Sequence, residues 1–364
     1  MQKNVYVTRP YFPPIEKYFN YIQGAYDNES LTNNGPLVQE LTEKLKGKLG
    51  VNHLLLVSNG TVALQIAYRL KELANKNVIT TPYTFAATST ALAWQGANPT
   101  LANINKNSWN IEPNEVEKLL KNQQGNAIVA VNLFGQPCDL DALELLAQKY
   151  NVPLIYDSAH ALLSTYKGKS IYEYGDIHCI SFHATKLFHT IEGGAMVFKD
   201  EADYLLAKKL INFGIAEDGI IEQAGINGKL SEIHAAMGLC VFDDLPALVL
   251  ERKELIAYYH ELLGNTVTYQ SDRFPHETQP IYMPVQFSCE SQALQVEEAL
   301  NTQGYYPRRY FMPQHYQFLS NAQTSIINDC SLLANKTLCL PLMNNMKKAT
   351  VNNICEIILK VLRK

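Results

Sequence analysis

HLLLVSNGTVALQIA, residues 53–67, combines a predicted buried strand, a polar turn and the start of an apolar helix. The apolar run ends at Ser58, the turn is Asn59-Gly60-Thr61, and apolar residues at helical spacing begin at Val62. The same alternation continues along the chain, with predicted strands at 78–80, 99–103, 127–132 and 153–156 and helices between them, among them 112–122 and 139–150. Strands separated by helices are typical of a mostly parallel sheet covered on both faces. The predicted fold class is therefore α/β.

Beyond position 157 this alternation changes. Predicted strands at 177–182 and 195–198 are joined by residues 183–194, a connection too short for a crossover helix. A long helix is predicted over 245–263, starting near Pro246, and further elements follow it: strands at 266–270 and 281–287, and helices at 291–303 and 348–362. We predict a large domain over 1–245 and a smaller α+β domain over 246–364, since 364 residues suffice for about two domains.

The composition excludes several classes of protein. Hydrophobic residues make up 47% of the chain and charged residues 18%, which is typical of a folded protein with a sizeable core and not of a disordered one. The net charge is −4, without a long run of like charges, so neither a nucleic acid nor an anionic membrane is an expected partner. No apolar stretch approaches the ~18 residues of a membrane span, and no secretory signal pattern is present.

The cysteines favour a reducing compartment. Seven are spread over the chain without a C-x-x-C pair, so neither a disulfide framework nor a zinc site is expected, and no other set of metal ligands is predicted. We predict a cytoplasmic protein whose cysteines act as small apolar side chains.

The turn Ser58-Asn59-Gly60-Thr61 is the first candidate site, because it lies between a predicted strand and a predicted helix. Unpaired N–H groups at a helix N-terminus form an anion site together with the helix dipole, and glycine lets the backbone approach a phosphate. Thr61 can add a hydroxyl donor. The alternative is an ordinary helix cap, since Asn and Thr are good capping residues.

Asp157 is the second candidate, because it ends an apolar strand, with His160 three residues later. At the carboxyl end of a strand in an open α/β sheet, where ligands bind, a carboxylate can hold a cationic ligand atom. The alternative, Asp157 as the cap of a following turn, is equally consistent with the sequence.

Lys186 is the third candidate and closes the segment SFHATK, residues 181–186, directly after a predicted strand. A poorly solvated lysine has a pKa below the usual ~10.4, which frees its amine for a Schiff base. Gly193 and Gly194 allow the backbone to approach closely. The alternative is an ordinary solvated lysine.

Together these segments match the needs of one cofactor. Pyridoxal phosphate requires a lysine for its aldehyde, a carboxylate for its pyridinium nitrogen, a phosphate cradle and a cover for its ring. Phe85, within TPYTF at 81–85, is the candidate cover, with core packing as the alternative. The chain order of turn, cover, Asp and Lys favours pyridoxal 5'-phosphate.

These motifs resemble those of the DegT/StrS family of pyridoxal-phosphate-dependent nucleotide-sugar aminotransferases. The resemblance covers nearly the whole chain and rests on LTNNGP (31–36), SNGTVAL (58–64), TPYTF (81–85), DSAHA (157–161), SFHATK (181–186), EGG (192–194) and GINGK (225–229). It implies the PLP-dependent transferase fold type I, with a mostly parallel central sheet in the large domain and a smaller α+β C-terminal domain.

The resemblance also implies a role for each motif residue. Lys186 would be the Schiff-base lysine and the proton shuttle, Asp157 would pair with the pyridinium nitrogen, and Phe85 would stack on the ring. The residues that would hold the phosphate are Gly60, Thr61 and Ser181, with Asn227 reaching in from the partner subunit of a homodimer. His160 stands where many members carry Gln, and Lys229 stands where Arg is common.

Within the family the chain is most similar to the branch that aminates C4 of dTDP-4-keto-6-deoxyglucose, with L-glutamate as the donor. The product would be a dTDP-4-amino-4,6-dideoxy sugar for a surface polysaccharide. Arg308 and Arg309, beside tyrosines, are candidates for contacts to the diphosphate and base, the alternative being a solvated pair. Three other functions stay open: a C3-ketosugar aminotransferase, a lyase or aldolase with the same cofactor, and a non-catalytic regulatory relative.

Overall fold

The structure, a computed structural model, describes residues 4–271, 276–312, 314 and 324–363. The strands are β1 (Val5–Tyr6), β2 (His53–Val57), β3 (Asn77–Thr80), β4 (Asn98–Leu101), β5 (Ala127–Val131), β6 (Leu154–Asp157), β7 (Thr165–Tyr166), β8 (Lys169–Ser170), β9 (Ile177–Ser181), β10 (Gly194–Phe198), β11 (Thr268–Tyr269), β12 (His276–Glu277), β13 (Met283–Gln286), β14 (Tyr305–Tyr306) and β15 (Thr337–Leu340). The helices are α1 (Ile15–Asp27), α2 (Pro36–Leu49), α3 (Gly60–Leu70), α4 (Ala86–Trp94), α5 (Pro113–Lys121), α6 (Leu140–Tyr150), α7 (Glu201–Leu210), α8 (Glu232–Leu263), α9 (Glu290–Thr302), α10 (Thr324–Lys336) and α11 (Lys348–Leu362).

The described residues form a central sheet of seven strands in the order β2-β10-β9-β6-β5-β3-β4. Neighbours from β9 to β4 are parallel, whereas β10 is antiparallel to both β2 and β9. The antiparallel pairing follows from the short connection 182–193, which cannot return the chain to the start of a parallel strand. The prediction of an α/β fold with a mostly parallel sheet is confirmed.

Side chains of the central strands alternate between two apolar layers. In β5, Ile128 and Ala130 pack into the layer under α2, α5, α6 and the first half of α8, whereas Ala127 and Val129 pack into the layer under α3, α4 and α7. All five residues of β5 are buried, as expected of a strand covered on both faces. Because β2, β6 and β9 run in the same direction, their carboxyl ends lie at one edge of this three-layer structure.

A third apolar cluster, separate from the two layers of the central sheet, surrounds the three-stranded sheet β11-β13-β15. This sheet packs against α9, α11 and the second half of α8. We call this part of the molecule the small-sheet unit. Strand β1 pairs with β14 in parallel, so the start of the described chain also joins it. The division into domains at 245 and 246 stays a prediction, since α8 runs through this position without a break.

The prediction that a helix begins near Pro246 is wrong. Helix α8 begins at Glu232, where the Ser231 side chain accepts a hydrogen bond from the His234 amide, and Pro246 lies inside it. A proline removes one backbone hydrogen bond from a helix interior. Leu245 and Leu248 are buried on either side of it, and this packing offsets the loss.

Helix α8 also has the length and hydropathy of a membrane span, counted over Glu232–Thr266. Half of its most apolar window is buried inside the protein. Its first half contacts α1 and α2, and its second half contacts α11. A helix in the core of a globular protein meets the same criteria.

Candidate active site

A cavity of about 570 Å³ lies at the carboxyl ends of β2, β6 and β9. One side, which we call the sheet wall, is formed by Asn59, Gly60, Thr61, Asp157, Ser181 and Lys186. The opposite side, which we call the aromatic wall, is formed by Tyr282, Arg308, Tyr310 and Phe311. Phe85 and His160 also line the cavity, so the structure brings together most of the residues that the sequence singled out.

Lys186 lies in the tight segment after β9, where its amide donates to the His183 carbonyl over 2.8 Å. Burial lowers the pKa of its amine to about 8, and the carboxylate of Asp157 opposes this shift only in part. The amine lies 5.8 Å from the centre of the Tyr282 ring. About a tenth of Lys186 is therefore uncharged at pH 7, far more than of an ordinary lysine, and this fraction can act as a nucleophile or base.

Asp157 is 5% exposed at the end of β6, and both of its oxygens accept hydrogen bonds. Thr88 Oγ1 donates to Oδ2 over 2.7 Å, and the Ala159 amide donates to Oδ1 over 3.1 Å. Burial raises the pKa of Asp157, while these two bonds and the Lys186 charge lower it. These two hydrogen bonds explain how a buried carboxylate is tolerated. Each oxygen can accept a further bond, so the carboxylate can still hold a cationic ligand atom.

His160 is buried and kept neutral. Burial, followed by the positive charge of Lys186, lowers its pKa well below the usual value. Its Nδ1 accepts a hydrogen bond from the Phe134 amide over 3.2 Å, so the single ring proton is on Nε2. The Tyr282 ring contacts the imidazole edge to face at 5.0 Å between centroids. His160 is thus a fixed N–H donor beside the cavity.

Helix α3 begins at Gly60, directly at the end of β2. Asn59 is its cap and accepts a hydrogen bond from the Val62 amide over 2.8 Å, so the capping alternative is correct for this residue. Among the described residues, the amides of Gly60 and Thr61 have no acceptor. A Cβ on Gly60 would lie 2.9 Å from the Ser181 Cβ, so glycine keeps this corner open. Two free helical amides and two hydroxyl side chains form an anion cradle.

Packing explains why positions 193 and 194, after Lys186, are both glycine. A Cβ on Gly194 would lie 2.8 Å from the Asn59 carbonyl carbon and 2.9 Å from the Gly60 nitrogen. A Cβ on Gly193 would collide with Thr190 Oγ1. The glycines therefore let β10 lie directly behind the anion cradle.

The aromatic wall contains residues that the sequence did not single out. Tyr282 precedes β13, and its ring contacts the Tyr310 ring at 5.2 Å. Phe311 lies 6.5 Å from the exposed Phe85 ring, which is placed to cover a planar ligand. Arg308 lines the cavity and stacks its guanidinium over Tyr310 at 5.0 Å. The aromatic wall therefore presents the Arg308 guanidinium next to several aromatic rings.

Three predicted residues lie elsewhere in the single chain. Arg309 bonds to Glu290 over 3.2 Å and does not line the cavity, because successive residues of an extended segment point to opposite sides. Asn227 is exposed outside the cavity, in a bridge with Asn212. Lys229 donates to Asn212 Oδ1 over 2.8 Å and lines a different cavity. The role of Asn227 across a subunit interface stays a prediction.

The residues present fit pyridoxal phosphate. The free amides of Gly60 and Thr61, with Ser181 close by, suit a phosphate, and the buried Asp157 carboxylate suits a protonated ring nitrogen. The amine of low pKa suits an aldehyde, and Phe85 and His160 suit an aromatic ring with a hydroxyl group.

Comparisons with known proteins agree with this geometry. Residues 15–359 match the DegT/DnrJ/EryC1/StrS aminotransferase family. A dTDP-4-amino-4,6-dideoxy-D-glucose transaminase from Shigella dysenteriae is 34% identical over 100% of this chain and 99% of its own. A UDP-4-amino-4,6-dideoxy-N-acetyl-β-L-altrosamine transaminase from Campylobacter jejuni is 36% identical over 65% of this chain and 64% of its own.

A solved structure extends the match to the fold. The structure of DesI in the presence of its TDP-sugar product superposes with a TM-score of 0.91 at 30% identity, covering 100% of this chain and 94% of DesI. The predictions of fold type I and of pyridoxal 5'-phosphate as the cofactor are confirmed. The chain belongs to the DegT/DnrJ/EryC1/StrS family of pyridoxal-phosphate-dependent sugar aminotransferases.

Proposed function

We propose that this sugar aminotransferase moves the amino group of L-glutamate to C4 of a dTDP-4-keto-6-deoxy-hexose. The product is a dTDP-4-amino-4,6-dideoxy sugar for a surface polysaccharide. The observation that carries the proposal is the meeting of Lys186, Asp157 and the free amides of Gly60 and Thr61 in one cavity. A lysine amine, a buried carboxylate and an anion site are the groups that amino transfer on pyridoxal phosphate requires.

Asp157 and His160 hold the ring of the cofactor in this proposal. When bound, pyridoxal phosphate supplies an electron sink for the carbon that loses or gains the amino group. The Asp157 carboxylate would stabilise positive charge at the ring nitrogen, and its burial would strengthen that attraction. The Nε2–H of His160 would be the donor for the ring hydroxyl, as the amide of a glutamine would.

Lys186 would move a proton between the substrate carbon and C4′ of the cofactor in each half-reaction. With a pKa of about 8, its amine is basic enough to take a proton from one of these carbons and acidic enough to return it to the other. Its segment is held by the bond between its own amide and the His183 carbonyl, so the amine is presented at a fixed place in the cavity.

Arg308 and the aromatic rings of the wall are suited to the nucleotide. A guanidinium can contact the diphosphate, and the rings of Tyr310 and Phe311 can contact the base or the sugar. The name and full-length match of the Shigella relative support a dTDP sugar and position C4. The Campylobacter relative favours a UDP-linked N-acetylated sugar as the second candidate.

Absorption spectra test the reaction directly. We expect the protein with added pyridoxal phosphate to show a long-wavelength band that L-glutamate removes, with 2-oxoglutarate released. The aminated protein is then offered dTDP-4-keto-6-deoxyglucose or the corresponding UDP-linked N-acetylated ketosugar, and the products are identified by mass spectrometry and NMR. Amination at C4 of the dTDP sugar supports the proposal, and amination at C3 contradicts it.

Other outcomes identify the remaining functions. A band that persists with glutamate while an amino-acid substrate is cleaved indicates a lyase or aldolase. A protein that takes up no cofactor indicates a non-catalytic relative.

A homodimer in which Asn227 serves the neighbouring site is part of the proposal. Asn227 is exposed and outside the cavity of its own chain, and three isoleucines in the preceding eight residues are exposed as well: Ile220, Ile221 and Ile226. The test mixes inactive K186A with N227A. If Asn227 acts across the interface, mixed dimers contain one intact site and the mixture regains about a quarter of the wild-type activity. A mixture no more active than N227A alone contradicts the arrangement.

We also propose a cytoplasmic location. The seven cysteines are free thiols, six of them buried, which is the pattern of a protein in a reducing compartment. Localisation of the tagged protein by cell fractionation tests this.

A further inference from the structure

Two hydroxyl groups connect the segment of the ring cover to the carboxylate of Asp157. Thr88 Oγ1 donates to Asp157 Oδ2 over 2.7 Å, and Thr84 Oγ1 lies 2.8 Å from Thr88 Oγ1. Both threonines are buried, and Thr84 lines the cavity next to Phe85. The single proton of the Thr88 hydroxyl is used for the carboxylate, so Thr84 is the donor to Thr88. The ionised carboxylate thereby determines the direction of both bonds.

Thr88 differs from another threonine on the same helix. Thr90 Oγ1 donates to the Ala86 carbonyl over 2.7 Å, the usual bond of a threonine within a helix. Thr88 Oγ1 instead reaches across to β6, and the Tyr68 hydroxyl donates to the Thr88 carbonyl over 3.1 Å. Helix α4 is thus anchored beside the carboxylate at both the backbone and the side chain of Thr88.

We propose that Thr88, oriented by Thr84, is a positioning residue that holds Oδ2 of Asp157 and keeps this carboxylate ionised at the cofactor ring. This inference rests on the proposed function. The Ala159 amide holds the other oxygen, so each oxygen has one fixed donor and the carboxylate cannot rotate about its own axis. A carboxylate fixed in this way presents its remaining lone pairs in one direction.

The groups around Asp157 show how much depends on the Thr88 hydroxyl. Lys186 contributes the one positive charge among the described groups that act on the pKa of this carboxylate, and the Thr88 hydrogen bond lowers that pKa more than the Lys186 charge does. Burial keeps the Cys179 thiol and the Tyr68 phenol protonated by raising their pKa values well above the usual range. The His160 imidazole is neutral because its pKa is low. The Thr88 hydroxyl donates to the ionised form of Asp157, so it is the main side-chain group that opposes the effect of burial.

The experiment compares four variants in the protein without cofactor. T88V keeps the shape of the side chain and removes its hydroxyl, T88S keeps the hydroxyl and removes a methyl, T84V removes the donor to Thr88, and T90V is the matched control on the same helix. Infrared difference spectra against D157N follow protonation of the Asp157 carboxyl with pH. We expect T88V to raise the pKa of Asp157, T84V to raise it less, and T88S and T90V to leave it as in wild type.

The same variants are then loaded with pyridoxal phosphate and mixed with L-glutamate in a stopped-flow spectrometer. We expect the single-turnover rate to fall about tenfold or more in T88V, with donor affinity unchanged, and to recover in T88S. A purely packing role predicts the reverse order, with T88S worse than T88V. That order, or a T88V carboxyl that titrates as in wild type, overturns the proposal.

The two measurements separate this inference from the proposed function. If wild-type protein takes up no cofactor, the proposed function fails while the infrared titration still decides the role of Thr88. If T88V does not fold, the titration of T84V decides the role of the threonine pair. T84V is the milder variant, because it leaves the bond from Thr88 to the carboxylate in place. An unshifted T84V titration then overturns the proposal.

Discussion

The sheet wall and the aromatic wall of the cavity are built in different ways. The sheet wall comes from residues at the carboxyl ends of strands of one sheet or within a few residues of them, so its geometry is set by β2, β6 and β9 and their hydrogen bonds. The aromatic wall comes from segments around β13 and β14, which reach the cavity only because the small-sheet unit packs against the rest of the molecule. We therefore infer a division of roles, in which the sheet wall carries the chemistry and the aromatic wall selects the substrate.

Removal of the Lys186 amine should have the largest effect. K186A should lower turnover by at least about 10³-fold, because both the nucleophile and the proton shuttle are lost. Steady-state assays measure the loss, and absorption spectra should show bound pyridoxal phosphate without the long-wavelength band. An aromatic-wall variant with an equal loss of turnover would contradict the division.

The pH dependence of cofactor capture tests the electrostatics of the sheet wall. Burial lowers the pKa of Lys186 to about 8, so the neutral fraction grows with pH up to that value and then levels off. The rate at which protein without cofactor forms the absorption band should therefore rise about 50-fold from pH 6 to pH 8 and little beyond. Stopped-flow mixing measures it, with K186A as the baseline. A rate that keeps rising tenfold per pH unit to about pH 10 would mean an ordinary lysine.

Arg308→Ala tests the aromatic wall. The guanidinium lines the cavity and is oriented by the Tyr310 ring, so its loss should raise KM for the sugar nucleotide by roughly tenfold or more. The half-reaction with L-glutamate should stay within about twofold of wild type, because the sheet wall is intact. Equal losses in both half-reactions would show that the two walls are not separable.

Arg309→Ala is the matched control and should have the smallest effect. Its ion pair with Glu290 is partly exposed and outside the cavity, so KM should stay within about twofold and the free energy of unfolding should fall by less than ~1 kcal/mol. Urea denaturation and the same kinetic assay measure both. A rise in KM as large as that of Arg308→Ala would place Arg309 in the nucleotide site after all.

The sheet wall could be predicted from the sequence because its residues carry local signals. An apolar run followed at once by a polar or charged residue predicts a strand end, and the carboxyl ends of parallel strands meet at one edge. Asp157, Ser181 and the 59–61 turn all follow this pattern. The resemblance to a family then added roles that spacing alone does not contain.

Of the aromatic wall, the sequence pointed only to Arg308 and the tyrosines beside it, and the rest carries no such signal. Tyr282 is one of 21 tyrosines, and only the packing of the small-sheet unit brings it to Lys186. The Thr84–Thr88 pair lies in a segment that the sequence did single out for Phe85. Threonine hydroxyls in helices usually bond to their own backbone, as Thr90 does, so spacing could not show that Thr88 reaches Asp157.

The pairing of β1 with β14 has a consequence for how the protein is made. Val5 pairs with Tyr305 and Tyr6 with Tyr306, and the two tyrosine rings stack at 5.0 Å, so the partners are separated by about 300 residues of chain. A ribosome that adds roughly 5–20 residues per second delivers β14 about 15–60 s after β1. The central sheet can assemble during that interval, whereas β1 must wait without its partner. The small-sheet unit is thus completed at the end of synthesis by one of the first strands to leave the ribosome.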